Sequence, residues 1–385
     1  MDNMEKERSI DRLARYIIIA TGAAITAALC WFFRDVIIYI LLAGVVSLIG
    51  KPLMDLFGKV RIKGRRIPTW LSAILSILII LTCILAVLTL IVPVVLNIAK
   101  DISMVNVEST VKAISIPLQN FNMFLIDKFP GLGSDFKIEK VVFTQIQKLL
   151  DVSIVSSAIS SVTSFVTSMG IGVFSVVFIV FFFFKDEKLF TRIVASLIPD
   201  KHESNAEAAI ADISHLLSRY FLGLLIEVTG VALLNFLGLM FIARLGFNAA
   251  IGIAFITGIM NIIPYVGPLA GGAIGTILGI VIKFAHSTGL GLDLGFWGFT
   301  LVLIAIFCAT QLVDNFLFQP IIYSNSIKAS PLEIFIILLM AGHIGGIIGM
   351  LVAIPSYTVI RVIAGRFFRN VKFIRRLIPA DPKKE

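Results

Sequence analysis

Residues 253–280 read IAFITGIMNIIPYVGPLAGGAIGTILGI, and the reading of the segment NIIPYVGP (261–268) at their centre decides the fold. On both sides the chain is apolar enough for a buried helix, yet Pro264, Gly267 and Pro268 interrupt it where a straight helix would lie deepest. As one helix the apolar run 250–282 would be about 50 Å long at 1.5 Å per residue. The hydrocarbon core it would cross is about 30 Å thick. Broken backbone is tolerated at that depth only where the freed polar groups are buried in protein or face a wet cavity. The stretch therefore predicts two helical limbs joined at a break, either spanning or re-entrant. A second run, 332–364, has the same excess length and carries Gly342, Gly345, Gly346 and Gly349 at its middle. It receives the same reading.

Outward from these runs, the whole chain has the composition of a membrane protein. Of its 385 residues 58% are hydrophobic and only 15% charged, and the mean hydropathy is +0.99. An all-α membrane protein follows, with about eight apolar helical runs, roughly 16–33, 36–50, 67–96, 158–184, 219–243, 250–282, 294–318 and 332–364. The expected organisation is an N-terminal membrane sector (1–96), an external helical insert (97–157), a membrane helix (158–184) and a cytoplasmic helical segment (185–218). A transport core with the broken helices (219–364) and a basic cytoplasmic tail (365–385) complete it.

The net charge of +9 is concentrated beside the apolar runs, in the N-terminal arm, in the 51–66 loop and in the C-terminal tail. Basic residues so placed obey the positive-inside rule, so both termini and the 51–66 loop are expected in the cytoplasm, against anionic lipid. This distribution argues for a bilayer and against nucleic acid as the partner. Cys30, Cys83 and Cys308 lie singly inside apolar runs, without CxxC spacing, and read as packing residues.

Polar residues inside such runs are costly and mark candidate sites. Gln311, Asp314, Asn315 and Gln319 fall at i, i+3, i+4 and i+8, one stripe on one helical face, suited to a cation, a proton or a substrate hydroxyl. The competing reading is a helix end at the water interface, helped by Pro320. Glu227 and Asn235 share a face two turns apart, with Glu227 placed to snorkel or to pair with Arg219. Asn261 opens the first break, and His343 lies at the turn of the second run. Gly267, Gly271, Gly275 and Gly279 recur every four residues, a face without side chains that admits another helix. The chain lacks GxxxxGK[ST], HExxH and GxSxG, so neither ATP drive nor zinc or serine hydrolysis is indicated, and no cofactor or metal is expected.

With NIIPYVGPLAGG (261–272), RYFLGLLIE (219–227) and QLVDNFLFQPIIYSNSIKASPLEIFIILLMAGHIGGIIGMLVAIP (311–355) in place, the chain resembles the autoinducer-2 exporter family of permeases along its whole length. The resemblance implies a bacterial multi-pass inner-membrane transporter and a homo-oligomer. Two departures from the family pattern stand out, Gly223-Leu224 in place of Gly-Gln and Asp314-Asn315 in place of Glu-Asn. Three functions stay open: export of a small polar solute such as autoinducer-2, sodium or lithium exchange for protons, and an oligomeric scaffold working through the insert. In the first two, the broken runs would meet near the midplane with Asp314 and Asn315 at the site.

Overall fold

The computed structural model describes residues 16–18, 20–22, 24–62, 65–104, 107–128, 170, 172–186, 192, 203–285, 291–320 and 330–368. The expected arm before residue 16, the insert beyond residue 128 with its expected FPGLGS turn, the first part of the expected 158–184 helix, most of 187–202 and the tail beyond 368 lie outside these. Described helices are α1 (Tyr16–Phe32), α2 (Arg34–Lys59), α3 (Thr69–Met104), α4 (Val107–Lys128) and α5 (Gly172–Lys185). They continue with α6 (Glu203–Leu237), α7 (Phe247–Met260), α8 (Val266–Ala285), α9 (Phe296–Val313) and α10 (Pro331–Phe367). Among the described residues the exceptions to an all-helical chain are two-residue strands, β1 (Arg61–Ile62) and β2 (Arg65–Arg66), paired antiparallel. Six of the described helices are long and apolar enough to cross a membrane.

The chain divides into two compact units. One comprises residues 1–77 and 168–190. Among its described residues the buried ones include the small Ala43 of α2 and Ser72, Ala73 and Ser76 of α3, together with Val180 and Phe184 of α5.

The other unit holds both broken runs, and α6 is its spine. The charged segment expected to end at 218 runs without interruption into the next apolar run, so that α6 together with a π-helical segment, Gly238–Ile242, spans 40 residues, about 60 Å. The first break is a hairpin. α7 has only 14 residues, about 21 Å, too short to cross the hydrocarbon core alone. Asn261 caps it, and Tyr265, with φ 65°, turns the chain. α8 then returns along α7, so close that a Cβ on Gly267 would overlap the carbonyl oxygen of Met260 and one on Gly271 would stand 3.4 Å from that of Thr257. The glycine stripe thus faces α7 and, farther along, α9 through Phe307 and Leu303. Pro268 sits in the first turn of α8, where its missing N–H costs nothing.

Both ends of this hairpin lie together. Gly291 and Leu292, after α8, donate to the carbonyls of Arg244 and Ala243, before α7, each at 2.9 Å. α4 packs over this end, Phe121 lying 4.7 Å from the ring of Trp297, so the described part of the insert caps the mouth of the first hairpin.

The second break is also a hairpin. α10 is interrupted at Gly346, whose φ 57° and ψ −140° are open only to glycine. Its limbs fold back so far that Tyr357 Oη donates to Glu333 Oε2 at 2.8 Å, 24 residues away in sequence. Of the four glycines expected to break it, Gly346 supplies the turn, Gly349 supplies the close approach to Ala341, and Gly342 and Gly345 stay helical. The mouth of this hairpin is pinned to the beginning of α6 by Arg366 and Asp212, while the first hairpin opens beyond the other end of α6. The hairpins therefore enter from opposite ends. Their tips do not meet: Tyr265, at the first tip, packs edge-to-face on Phe335, close to the mouth of the second.

Candidate functional site

Midway along α6, the inward face carries Glu227, 1% exposed. Its position on the stripe with Tyr220, Val231 and Asn235, all buried, comes from spacing of seven, four and four residues on a 3.6-residue helix. The neighbouring arginine, Arg219, is not its partner. Instead Asn261, 2% exposed at the tip of the first hairpin, directs Nδ2 at Glu227 Oε1 from 3.5 Å. From α9 comes Asp314, 0% exposed, and its carboxyl group meets that of Glu227 within hydrogen-bonding range. Glu227 Oε2 and Asp314 Oδ1 are both sealed from solvent, and neither finds a donor among the described residues.

Asp314 begins a second π-helical segment, Asp314–Phe318, that extends α9. A π turn brings i and i+5 together, and here it sets Gln319 beside Asp314: Gln319 Nε2 donates to Asp314 Oδ2 at 2.9 Å. Gln311 Nε2 donates to the same oxygen at 3.2 Å and to Asn315 Oδ1 at 3.0 Å. The four-residue stripe is therefore assembled, but graded: Asp314 is buried, Gln311 and Gln319 are half-buried and Asn315 is exposed. The competing reading, a bare helix end at water, does not describe Asp314. Gly230, one turn beyond Glu227, leaves room for Phe318 of the π segment, which lets α9 lie close against α6.

Asn235 lies two turns farther along α6, about 12 Å from Glu227. It donates to Thr257 Oγ1 at 3.0 Å, and Thr257 in turn donates to the carbonyl of Ala254. It forms a separate polar contact between α6 and α7, with Oδ1 left without a donor among the described residues. Beyond it toward α4 the core is mainly apolar, closed by Leu239, Leu245, Ile253, Phe299 and Leu303, all within 1% of complete burial. Asn122 of α4 is buried as well, and Lys283 of α8 places Nζ 4.2 Å from the Phe299 ring centroid and donates to the carbonyls of Leu292 and Leu294. On the other side of the carboxyl pair the half-buried glutamines lead to exposed Asn315. His343 is at the tip of the second hairpin, away from this cluster and exposed. Pro264 is buried at the first tip, and its carbonyl accepts from Val266 N at 2.8 Å.

A network that the sequence reading missed closes the mouth of the second hairpin. Glu333 is capped by Ser330 Oγ, accepts from Tyr357 and lies 3.4 Å from Arg361. The clue was present as S-P-L-E (330–333), an N-cap with an acid three residues on. Among the described residues no cluster of histidine, cysteine or acidic side chains is arranged to hold a metal ion.

Residues 19–369 match the family model described as "AI-2E family transporter". The chain is 30% identical over 222 residues to "Putative transport protein YueF" of Bacillus subtilis (strain 168), a match covering 58% of this chain and 56% of the relative. It is 28% identical over 193 residues to "Putative transport protein YrrI" of the same organism, covering 50% of each. A third similar protein, "Putative transport protein sll0063" of Synechocystis sp. (strain ATCC 27184 / PCC 6803 / Kazusa), is 27% identical over 161 residues, 42% of this chain and 35% of that one. The chain thus spans about half the length of the first two relatives.

Proposed function

Because the chain belongs to the AI-2E transporter family, we propose that it is a secondary transporter whose coupling site is the Glu227–Asp314 pair, exchanging a proton for a small cation such as sodium or lithium. The observation that carries this reading is the contact of two fully buried carboxyl groups, each with an oxygen that no described residue donates to. An ionised carboxylate only accepts hydrogen bonds. Two of them in contact at membrane depth need either a shared proton or a cation between them, and the same oxygens serve for both. Exchange is then competition for one place. Asn261, whose amide presents either its oxygen or its nitrogen, follows the change of occupant, and it stands on the tip of a hairpin rather than on a continuous helix.

In this reading the apolar plug beside α4 closes the site from the outside, and the glutamine side is the route to the cytoplasm of a bacterial cell, across its inner membrane. Both termini lie in the cytoplasm, in keeping with the charge distribution. The second reading, export of a small polar solute resembling autoinducer-2, draws on the amide fringe of Gln311, Asn315 and Gln319, groups suited to hydroxyls. In both, Asp314 and Glu227 bind, Pro264, Gly267 and Pro268 shape the tip, and the protein works without a cofactor, as a homo-oligomer.

The test is an external pulse of sodium or lithium on acid-loaded proteoliposomes holding a pH dye. Wild type is expected to raise the internal pH, and Glu227→Gln and Asp314→Asn to abolish the rise while still inserting. No rise with wild-type protein shown to be inserted overturns cation exchange, and labelled autoinducer-2 then tests the second reading.

A further inference from the structure

The two short strands between α2 and α3 present an arrangement that transport does not use. β1 and β2 pair with Arg61 directly opposite Arg66, and Ile67 N extends the ladder by donating to the carbonyl of Val60 at 3.4 Å. Residues directly opposite in an antiparallel pair project from the same face, about 5 Å apart, and like charges there repel. Both arginines are exposed, and neither makes an ion pair among the described residues. Lys59, at the end of α2 next to β1, is exposed too, as is Lys51 about 12 Å earlier along the helix. The α2 helix C-terminus adds a partial negative charge that Lys59, in its last turn, offsets. Such a cluster of like charge favours an anion beside it.

The surroundings say which kind. A groove of about 470 Å³ runs beside the strands, lined by Pro52, Asp55, Leu56, Lys59 and Val60. Leu56 and Val60 are largely exposed, as is Trp70 at the start of α3. Asp55 is the one carboxylate in the lining, against Lys59 in the same groove and the two arginines next to it. A free anion needs the guanidinium groups but not the apolar border. A molecule with a phosphate at one end and acyl chains at the other uses both, and an exposed tryptophan is the residue expected at the headgroup level. Guanidinium is also the group that best matches a phosphodiester, by paired N–H donors.

We infer that the Arg61–Arg66 pair is a headgroup site for an anionic phospholipid, with its acyl chains passing along the groove formed by Leu56 and Val60. The inference is independent of what the carboxyl pair carries.

Trp70 makes the site measurable. In protein with Trp31→Phe and Trp297→Phe, Trp70 is the remaining tryptophan, and its fluorescence is read after reconstitution into mixtures of brominated phosphatidylglycerol or brominated phosphatidylcholine. Quenching is expected to favour the anionic lipid severalfold. Arg61→Gln with Arg66→Gln is expected to bring the ratio close to one while both lipids still quench, which shows that the protein remains inserted. Arg61→Lys with Arg66→Lys, retaining charge but not the fork, is expected to keep part of the preference, and serves if the neutral pair fails to insert. Equal quenching by the two lipids in the parent protein, or an unchanged ratio in the glutamine pair, overturns the assignment. Loss of the preference on adding inorganic phosphate, but not chloride at equal ionic strength, also overturns it, assigning the arginines to a small soluble anion.

Discussion

The two hairpins close by the same means and end in opposite ways. In each, a glycine shortly after the turn lies against the carbonyl of a residue on the incoming limb: Gly267 against Met260 in the first, Gly349 against Ala341 in the second. In each, the incoming limb is short. At the tips the resemblance ends. The first buries Asn261 and Pro264 beside the carboxyl pair, whereas the second holds His343 clear of any acid cluster and carries Ile344 and Ile348 at 84% and 74% exposure. A helix break is therefore not in itself a binding device. What it does depends on what packs against its tip, and here α6 and α9 bring acids to one tip and leave the other bare.

If closure is the shared element, then crowding at the two glycines should cost the same. Gly267→Ala and Gly349→Ala each place a methyl group where a backbone carbonyl already stands, and neither neighbour is a flexible side-chain end that can move aside. Each is expected to destabilise by about 3 kcal/mol, the upper range for overpacking, visible as a large fall in the melting temperature of detergent-solubilised protein. A large loss at one and not at the other would mean that the hairpins are held by different forces.

The turns themselves differ, and this gives a smaller effect. Gly346 occupies backbone space closed to other residues, with nothing within 4 Å of where a methyl group would stand. Gly346→Ala is expected to cost about 1–3 kcal/mol through backbone strain alone. The first hairpin puts a tyrosine at its positive-φ position, so its turn does not depend on glycine and its crowding does. At the mouth of the second hairpin, Tyr357→Phe removes the hydroxyl that bridges the limbs to Glu333 and is expected to cost about 1 kcal/mol, the net value of a partly exposed hydrogen bond. The carboxyl pair, 0–1% exposed and held by the other hairpin, should keep its transport rate in that variant.

This contrast was only half legible in the sequence. Excess length together with Pro and Gly at the centre was enough to find both breaks; length alone is not, since α3 runs on for 36 residues as one helix. The four-residue glycine spacing likewise announced a close helix contact. Which breakers act was not legible: Gly342 and Gly345 are as plausible as Gly346 until the limbs are folded. The site was visible in its parts, Glu227 on one helix, Asn261 at a break and Asp314 on another, because each is polar where polarity is costly. Their assembly was not, because spacing reports neighbours within one helix only. Local reasoning left Glu227 to snorkel or to pair with Arg219, whereas the tertiary partners come from 34 residues on, at Asn261, and from α9. The π turn at Asp314 had no signal either, and it is what brings Gln319 to the acid by a five-residue step.

The smallest expected effect probes the bare tip. His343 was a candidate on sequence grounds, as an ionisable group at the turn of an intramembrane hairpin. In the structure it stands apart from the carboxyl pair, linked to it by way of α6, from Tyr220 packed on the limbs of this hairpin to Glu227 two turns on. His343→Ala and Gly345→Ala, the latter with open space around the added methyl group, should each change stability by less than about 0.5 kcal/mol, as surface substitutions do. In the acid-loaded proteoliposome assay both should keep the wild-type rate and its pH dependence. A pH profile displaced in His343→Ala, with unchanged stability, would show that the second tip takes part in proton movement. The division between a working tip and a bare one would then fail, whatever the carboxyl pair binds.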